Sequence, residues 1–280
     1  MSGLDLNLIG KKSEPTVFNY TRKDTILYAL GIGAQTNELS FIYENAPGGQ
    51  KVFPSYCVIS GSGGIPSLGD NIDQSKFLHG EQLIRLYGPL PPEGKIVRVG
   101  EVKNIYDKGK AAVIKYQVSG STEEGKHLFD TEMTIFYRGA GGFGGDPGPK
   151  AEPLNPPEGQ EPDFSVSYDI PKNQAALYRL NGDYNPLHLD PEFAKRGGFD
   201  TPILHGLCTY GHAVRAIYHS LCGGDPARFK EFKARFSDVV YPGETLTTKG
   251  WKDKGGRYFI QVSTSRGAVV INNAYALVEE

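Results

Sequence analysis

Asp183, Asn185 and His188 fall within one stretch of eleven residues, NGDYNPLHLDP, Asn181 to Pro191. A carboxylate and an imidazole on so short a connection can converge on a single water molecule. Histidine titrates near ~6.5, so it can take or give a proton at neutral pH. A carboxylate shielded by apolar neighbours shares that proton traffic, and an asparagine holds the water without titrating. Pro186 and Pro191 stiffen the turn. The bland alternative is that Asp183 and Asn185 make Asx-turns and His188 is a satisfied half-buried histidine. Both readings stay open on the residues alone.

Downstream comes His205-Gly206, with Pro202 just before it where helices commonly begin. The first amides of a helix have no internal partner, and they lie at the positive end of its dipole. They suit a developing oxyanion, and a glycine there lets a carbonyl approach. The alternative is that Gly206 only permits tight packing. A water held by an acid/base pair beside an oxyanion donor fits two reactions. One is addition of water to a double bond conjugated with a carbonyl; the other is thioester hydrolysis. No serine or cysteine nucleophile sits in the turn, and Cys208 belongs to an apolar run that packs.

Two similar halves position these groups. TRKDTILYALG and PKNQAALYRLNG each read as a short amphipathic helix stopped by glycine. LHGEQLIRLYGPL and LHGLCTYGHAVRAIYHSL share Leu-His-Gly and are both expected to form the longer helix of their half. Leu83 and Leu86 then fall on the apolar side of the first. Leu204, Leu207, Gly211, Val214, Tyr218 and Leu221 make one stripe along the second, ended by Gly223. Turns at Pro91–Lys95 and Tyr241–Thr245 lead into β-rich runs such as YFIQVSTS. The pattern predicts an internal duplication in an α+β fold, a double hot-dog: twice a long helix wrapped by an antiparallel sheet. Residues 1–15 read as a tail, 16–138 as the first repeat, 139–163 as a Gly/Pro-rich linker and 164–280 as the catalytic repeat. The first half has GIGAQTNELSFIYE where the second has NGDYNPLHLDPEF, so the acid/base set occurs once.

The chain has 280 residues with 39% hydrophobic content, enough for a core. Net charge is −2, so nothing draws it to nucleic acid or an anionic membrane. Cys57, Cys208 and Cys222 lack metal-ligand spacing and read as reduced thiols of an intracellular protein. No signal peptide, membrane span or peroxisomal C-terminal address is visible. GAGGFGG leads into proline-rich sequence, not a helix, and implies no nicotinamide site.

ALYRLNGDYNPLHLDPEFA and GGFDTPILHGLCTYG resemble the signature of the MaoC-like, R-specific enoyl-CoA hydratases. KDTILYALGIGA, FIYE, LHGEQ, GAGGFGG, KARFSDVVYPGETL and INNAYA are similar to the two-repeat hydratase unit of the type-two multifunctional enzyme of β-oxidation. The resemblance covers nearly all but the first fifteen residues. It implies hydration of trans-2-enoyl-CoA to (3R)-3-hydroxyacyl-CoA, with Asp183 and His188 as the acid/base pair. Asn185 would hold the water and the Gly206 amide the thioester oxygen. The first half would accommodate long or branched acyl chains.

The resemblance also places His79, Gly80, Lys108 and Phe236, with Tyr184, Pro186 and Leu187 of the turn, against acyl-CoA. It assigns Glu44 a link to activity. No cofactor is implied beyond the CoA of the substrate, and a homodimer is. The setting would be peroxisomal for a multifunctional-enzyme unit and cytoplasmic for a stand-alone or bacterial form. The alternatives are a hot-dog acyl-CoA thioesterase and a non-catalytic acyl-CoA-binding protein.

Overall fold

The computed structural model describes residues 4–63, 68–69, 72–73, 76–150 and 153–279. Residues 1–3 of the expected tail, 151–152 of the expected linker and 280 of the second repeat lie outside them.

The first half runs β1 (Thr16–Tyr20), α1 (Arg22–Gly31), α2 (Leu39–Ile42), a 3-10 turn Pro54–Tyr56, α3 (Cys57–Ser60), β2 (Phe77–Leu86), β3 (Gly94–Asp107), β4 (Ala111–Ser121) and β5 (His127–Arg138). The second runs β6 (Phe164–Asp169), α4 (Gln174–Tyr178), α5 (Pro191–Arg196), α6 (Gly206–Leu221), β7 (Phe229–Phe236), β8 (Thr245–Lys252), β9 (Arg257–Thr264) and β10 (Val269–Val278). All ten strands join one sheet in the order β1-β3-β4-β5-β2-β7-β10-β9-β8-β6. Read outward from the β2–β7 seam, both halves have the same order of strands. At the seam the pairing is antiparallel, with Glu81 opposite Arg235 and Arg85 opposite Glu231. Arg235 and Arg85 each make an ion pair with the acid across from them, so charge complementarity supports this register. The architecture is a double hot-dog whose two sheets are continuous.

The sequence expectation fails at LHGEQLIRLYGPL, which is strand β2 and not a helix. The segment from Gln82 to Leu86 alternates: Gln82, Ile84 and Leu86 are buried, whereas Leu83 and Arg85 are only partly so. Leu83 is one apolar side chain on the outward set, and with it the segment mimics a helical stripe. The place of the long helix in the first half is taken by Pro54–Ser60, a 3-10 turn running into α3.

Helix α6 also departs from a single apolar stripe. Every residue from Cys208 to Tyr218 is buried, Arg215 and His212 included. The helix is enclosed by the sheet on one side and by first-half helices on the other. Gly211 permits that enclosure, since a Cβ there would fall 2.3 Å from the Ile32 side chain. Fully burying a residue such as Ile217 stabilises by about 1.5–3 kcal/mol.

Residues 4–13 are not loose: the Gly10 and Ser13 amides donate to Val102 and Gly100 along β3. The glycine-rich segment after β5 is likewise tied down. Asp107 accepts the amides of Gly142 and Gly144 at 2.8 and 2.7 Å, and that of Gly109 at 2.8 Å. Positive φ at Gly142 and Gly144 lets the chain fold around that carboxylate. Among the described residues no helix is long and apolar enough to cross a membrane.

Candidate active site

Helix α4 ends in a 3-10 turn, and Gly182, at φ +116°, reverses the chain into Asp183. Asp183 Oδ1 accepts the Asn185 amide at 3.2 Å, and Asn185 Oδ1 accepts the Leu187 amide at 3.1 Å. The Asx-turns of the bland reading are therefore real. They use one oxygen of each side chain, and both residues still line a cavity of about 610 Å³. Asp190 then caps α5 through the Glu192 and Phe193 amides, so the turn is fixed at both ends.

His188 is buried, and its Nδ1 lies 2.9 Å from the Ile203 carbonyl. A carbonyl only accepts, so Nδ1 carries the proton. The Nε2 of the neutral ring then keeps its lone pair. Burial pushes the imidazole below its ordinary range, against the smaller opposing pull of Ile203 and Asp183. At neutral pH His188 is thus a base of fixed tautomer.

Leu204 is pinned by its amide to the Val240 carbonyl at 2.7 Å, and α6 begins two residues later. The His205 carbonyl accepts the Cys208 and Thr209 amides. The Gly206 amide, in the first turn, has no partner within the helix. A Cβ at Gly206 would meet Phe236 at 3.5 Å, which is ordinary contact. Packing therefore does not demand glycine here, and Gly206 lines the cavity. This favours the oxyanion reading over the packing one.

Asp183, Asn185, Leu187, His188, Gly206 and Phe236 all line that one cavity. From the first half, Phe77, Leu78, His79, Met133 and Ile135 line it too. His79 sits edge-on to Phe236 with ring centres 5.1 Å apart, and burial lowers its pKa to about 4, so it is neutral. The other expected positions do not line the cavity. Gly80 is buried at the bulge in β2, where a Cβ would strike the Phe136 ring. Lys108 sits on the β3–β4 turn with its amine on the Pro147 carbonyl. Glu44 is exposed after α2. Tyr184 and Pro186 are exposed on the turn, Tyr184 under the Arg179 guanidinium at 4.9 Å.

His205 escaped the sequence reading except as a landmark. It is 1% exposed, its Nε2 is 3.2 Å from the Asp183 carbonyl, and its ring stacks on His188 at 3.8 Å with a 29° tilt. Nothing local in the sequence marks it, because both contacts are tertiary. Asp183, His188 and His205 bring donor atoms within 4.8 Å of one another. A metal ion must lie near the plane of each imidazole that binds it. Two rings stacked this nearly parallel do not direct lone pairs at one point, so the arrangement suits proton transfer better than metal binding.

Residues 18–139 match the family described as MFE-2 hydratase 2 N-terminal domain, and residues 154–274 match the MaoC like domain. The chain is 40% identical over 282 residues to the "Probable enoyl-CoA hydratase 2" of Dictyostelium discoideum, covering 97% of this chain and 95% of that one. It superposes on a MaoC-like dehydratase from Phytophthora capsici with a TM-score of 0.90 and 33% identity, covering 99% and 98% of the two chains. Against the peroxisomal multifunctional enzyme type 2 of Drosophila melanogaster the TM-score is 0.82 at 38% identity, covering 96% of this chain and 48% of that one. With both halves of the double hot-dog matched and the acid/base turn in the second, the chain belongs to the MaoC-like hydratase 2 family.

Proposed function

We propose that the protein adds water to trans-2-enoyl-CoA thioesters, giving (3R)-3-hydroxyacyl-CoA in fatty-acid β-oxidation. The observation that carries this reading is the convergence of Asp183, Asn185, His188 and Gly206 on one cavity. The thioester oxygen takes the Gly206 amide, which polarises the conjugated double bond. Asp183 and Asn185 hold a water, His188 Nε2 accepts a proton from it, and the oxygen adds to C3. The electrons move to the thioester oxygen, and the acid/base pair returns a proton to C2. The apolar first-half residues Phe77, Leu78, Met133 and Ile135 receive the acyl tail.

No cofactor is needed for this step, because the thioester itself is the electron sink. A peroxisomal setting fits the named setting of the Drosophila relative, and a homodimer is the expected assembly; sedimentation tests the latter. A thioesterase is the less favoured reading, and relatives named for hydration and dehydration weigh against it. Incubation with crotonyl-CoA separates the two. Hydration removes the enoyl absorbance without free thiol and yields the (3R) isomer on chiral analysis. Thiol release, or a (3S) product, would overturn the proposal, and binding without turnover would leave an acyl-CoA-binding protein.

A further inference from the structure

His205 contacts Asp183 and His188 and adjoins Gly206. Its Nε2–H donates to the backbone carbonyl of Asp183 at 3.2 Å, so it fixes the peptide that carries the acid. Its ring lies against the His188 ring at 3.8 Å. Its carbonyl accepts the Cys208 and Thr209 amides that start α6, and the next residue supplies the Gly206 amide. Tyr178, itself buried, backs the ring with centres 5.0 Å apart. His205 does not line the cavity, so it acts on the reaction only through its neighbours.

The residue type fits this place. A neutral imidazole offers a flat face and one N–H at the same time. Phenylalanine offers only the face, and an amide only the N–H. Burial holds the His205 pKa down to about 4, and the adjacent His188 adds to the effect. The ring therefore stays neutral, and the two stacked imidazoles do not repel as like charges.

We infer that His205 is a positioning residue for hydration: it sets the Asp183 carboxylate and the His188 imidazole at a fixed separation, both registered to the Gly206 amide. The inference rests on the hydratase reading, so wild-type turnover of crotonyl-CoA is measured first, and its absence would overturn both. His205→Phe keeps a stacking ring and loses the donor, whereas His205→Gln keeps a donor and loses the stack. Each is expected to lower kcat roughly 10- to 100-fold, the scale of a small misplacement of catalytic groups. KM should stay nearly unchanged, because the substrate does not touch the residue. In a His188→Ala background the same changes should cost little more, since residues acting as one unit are not additive. Circular dichroism checks folding, and if His205→Phe does not fold, His205→Gln decides. Wild-type kcat in a folded variant would overturn the inference. So would a full further loss on top of His188→Ala, or failure of both variants to fold, which would make His205 a folding residue.

Discussion

The two halves have the same five strands in the same order, yet only one carries an acid/base turn. In the second half, the connection after α4 presents Asp183, Asn185 and His188, and a helix of 16 residues, α6, begins beside it. In the first, the connection after α1 is Ile32 to Glu38, and α6 has as its counterpart only Pro54–Ser60. The acid of that first turn is spent differently. Glu38 is buried and accepts Arg215 Nε at 2.8 Å and His219 Nε2 at 2.6 Å, both from α6. Burial alone would raise its carboxyl, but the bonds from His219 and Arg215 bring it down to about 2. Arg215 also lies over the Tyr168 ring at 4.0 Å. Duplication thus gave one sheet two uses. The second half places Asp183, Asn185 and His188 beside a helix start, and the first clamps that helix and lines the remainder of the cavity.

If the division is sound, the largest effects follow the reactive turn. Asp183→Asn and His188→Ala should each lower kcat by about 10²–10⁴-fold, with folding retained because both sit on a turn. Glu44→Gln, in the exposed loop of the first half, should leave the rate near wild type. Because burial lowers the His188 pKa, its basic form persists as pH falls below the ordinary imidazole value near ~6.5. The acid limb of kcat/KM should therefore lie below that value. A large loss in Glu44→Gln with little in His188→Ala would reverse the roles of the halves.

The clamp comes next. Glu38→Ala leaves Arg215 buried without its partner, which should cost about 3–5 kcal/mol in stability, read from denaturant unfolding. Glu38 has a depressed folded pKa, so its contribution is present above the unfolded value, near ~4.5, and is lost as pH falls toward 2. Wild-type stability should drop through that window more steeply than that of Glu38→Ala. Parallel curves would mean that the first-half acid does not clamp α6.

The reactive turn was legible because its chemistry is local. Asp183, Asn185 and His188 lie within six residues, close enough for residue type and spacing to speak, and Gly206 was marked by its own place at a helix start. The duplication was legible too, but its alignment was not. Leu-His-Gly occurs at the start of β2 and of α6, and the shared triplet made a strand look like a second long helix. Only the alternation of Gln82, Ile84 and Leu86 distinguished it. His205 and Glu38 were illegible for a different reason: what each does depends on partners 17 or more positions away, at His188, Arg215 and His219. Placing Leu83 and Leu86 on the apolar side of one helix fails with β2, since Leu83 is only partly buried and Leu86 is in the core. The first-half side chains that reach the cavity sit at the start of β2 and on β5.

The division between reactive half and tail-holding half is tested most directly on β5. Met133 lines the cavity from the first half and is not fully buried, so Met133→Trp adds bulk along the tail at an overpacking cost of roughly 1–3 kcal/mol. kcat/KM is measured for a four-carbon and a long-chain enoyl-CoA in the folded variant. Selective loss on the long substrate, with crotonyl-CoA almost untouched, is the predicted result. Equal losses on both would contradict the account and leave the first half as scaffold alone.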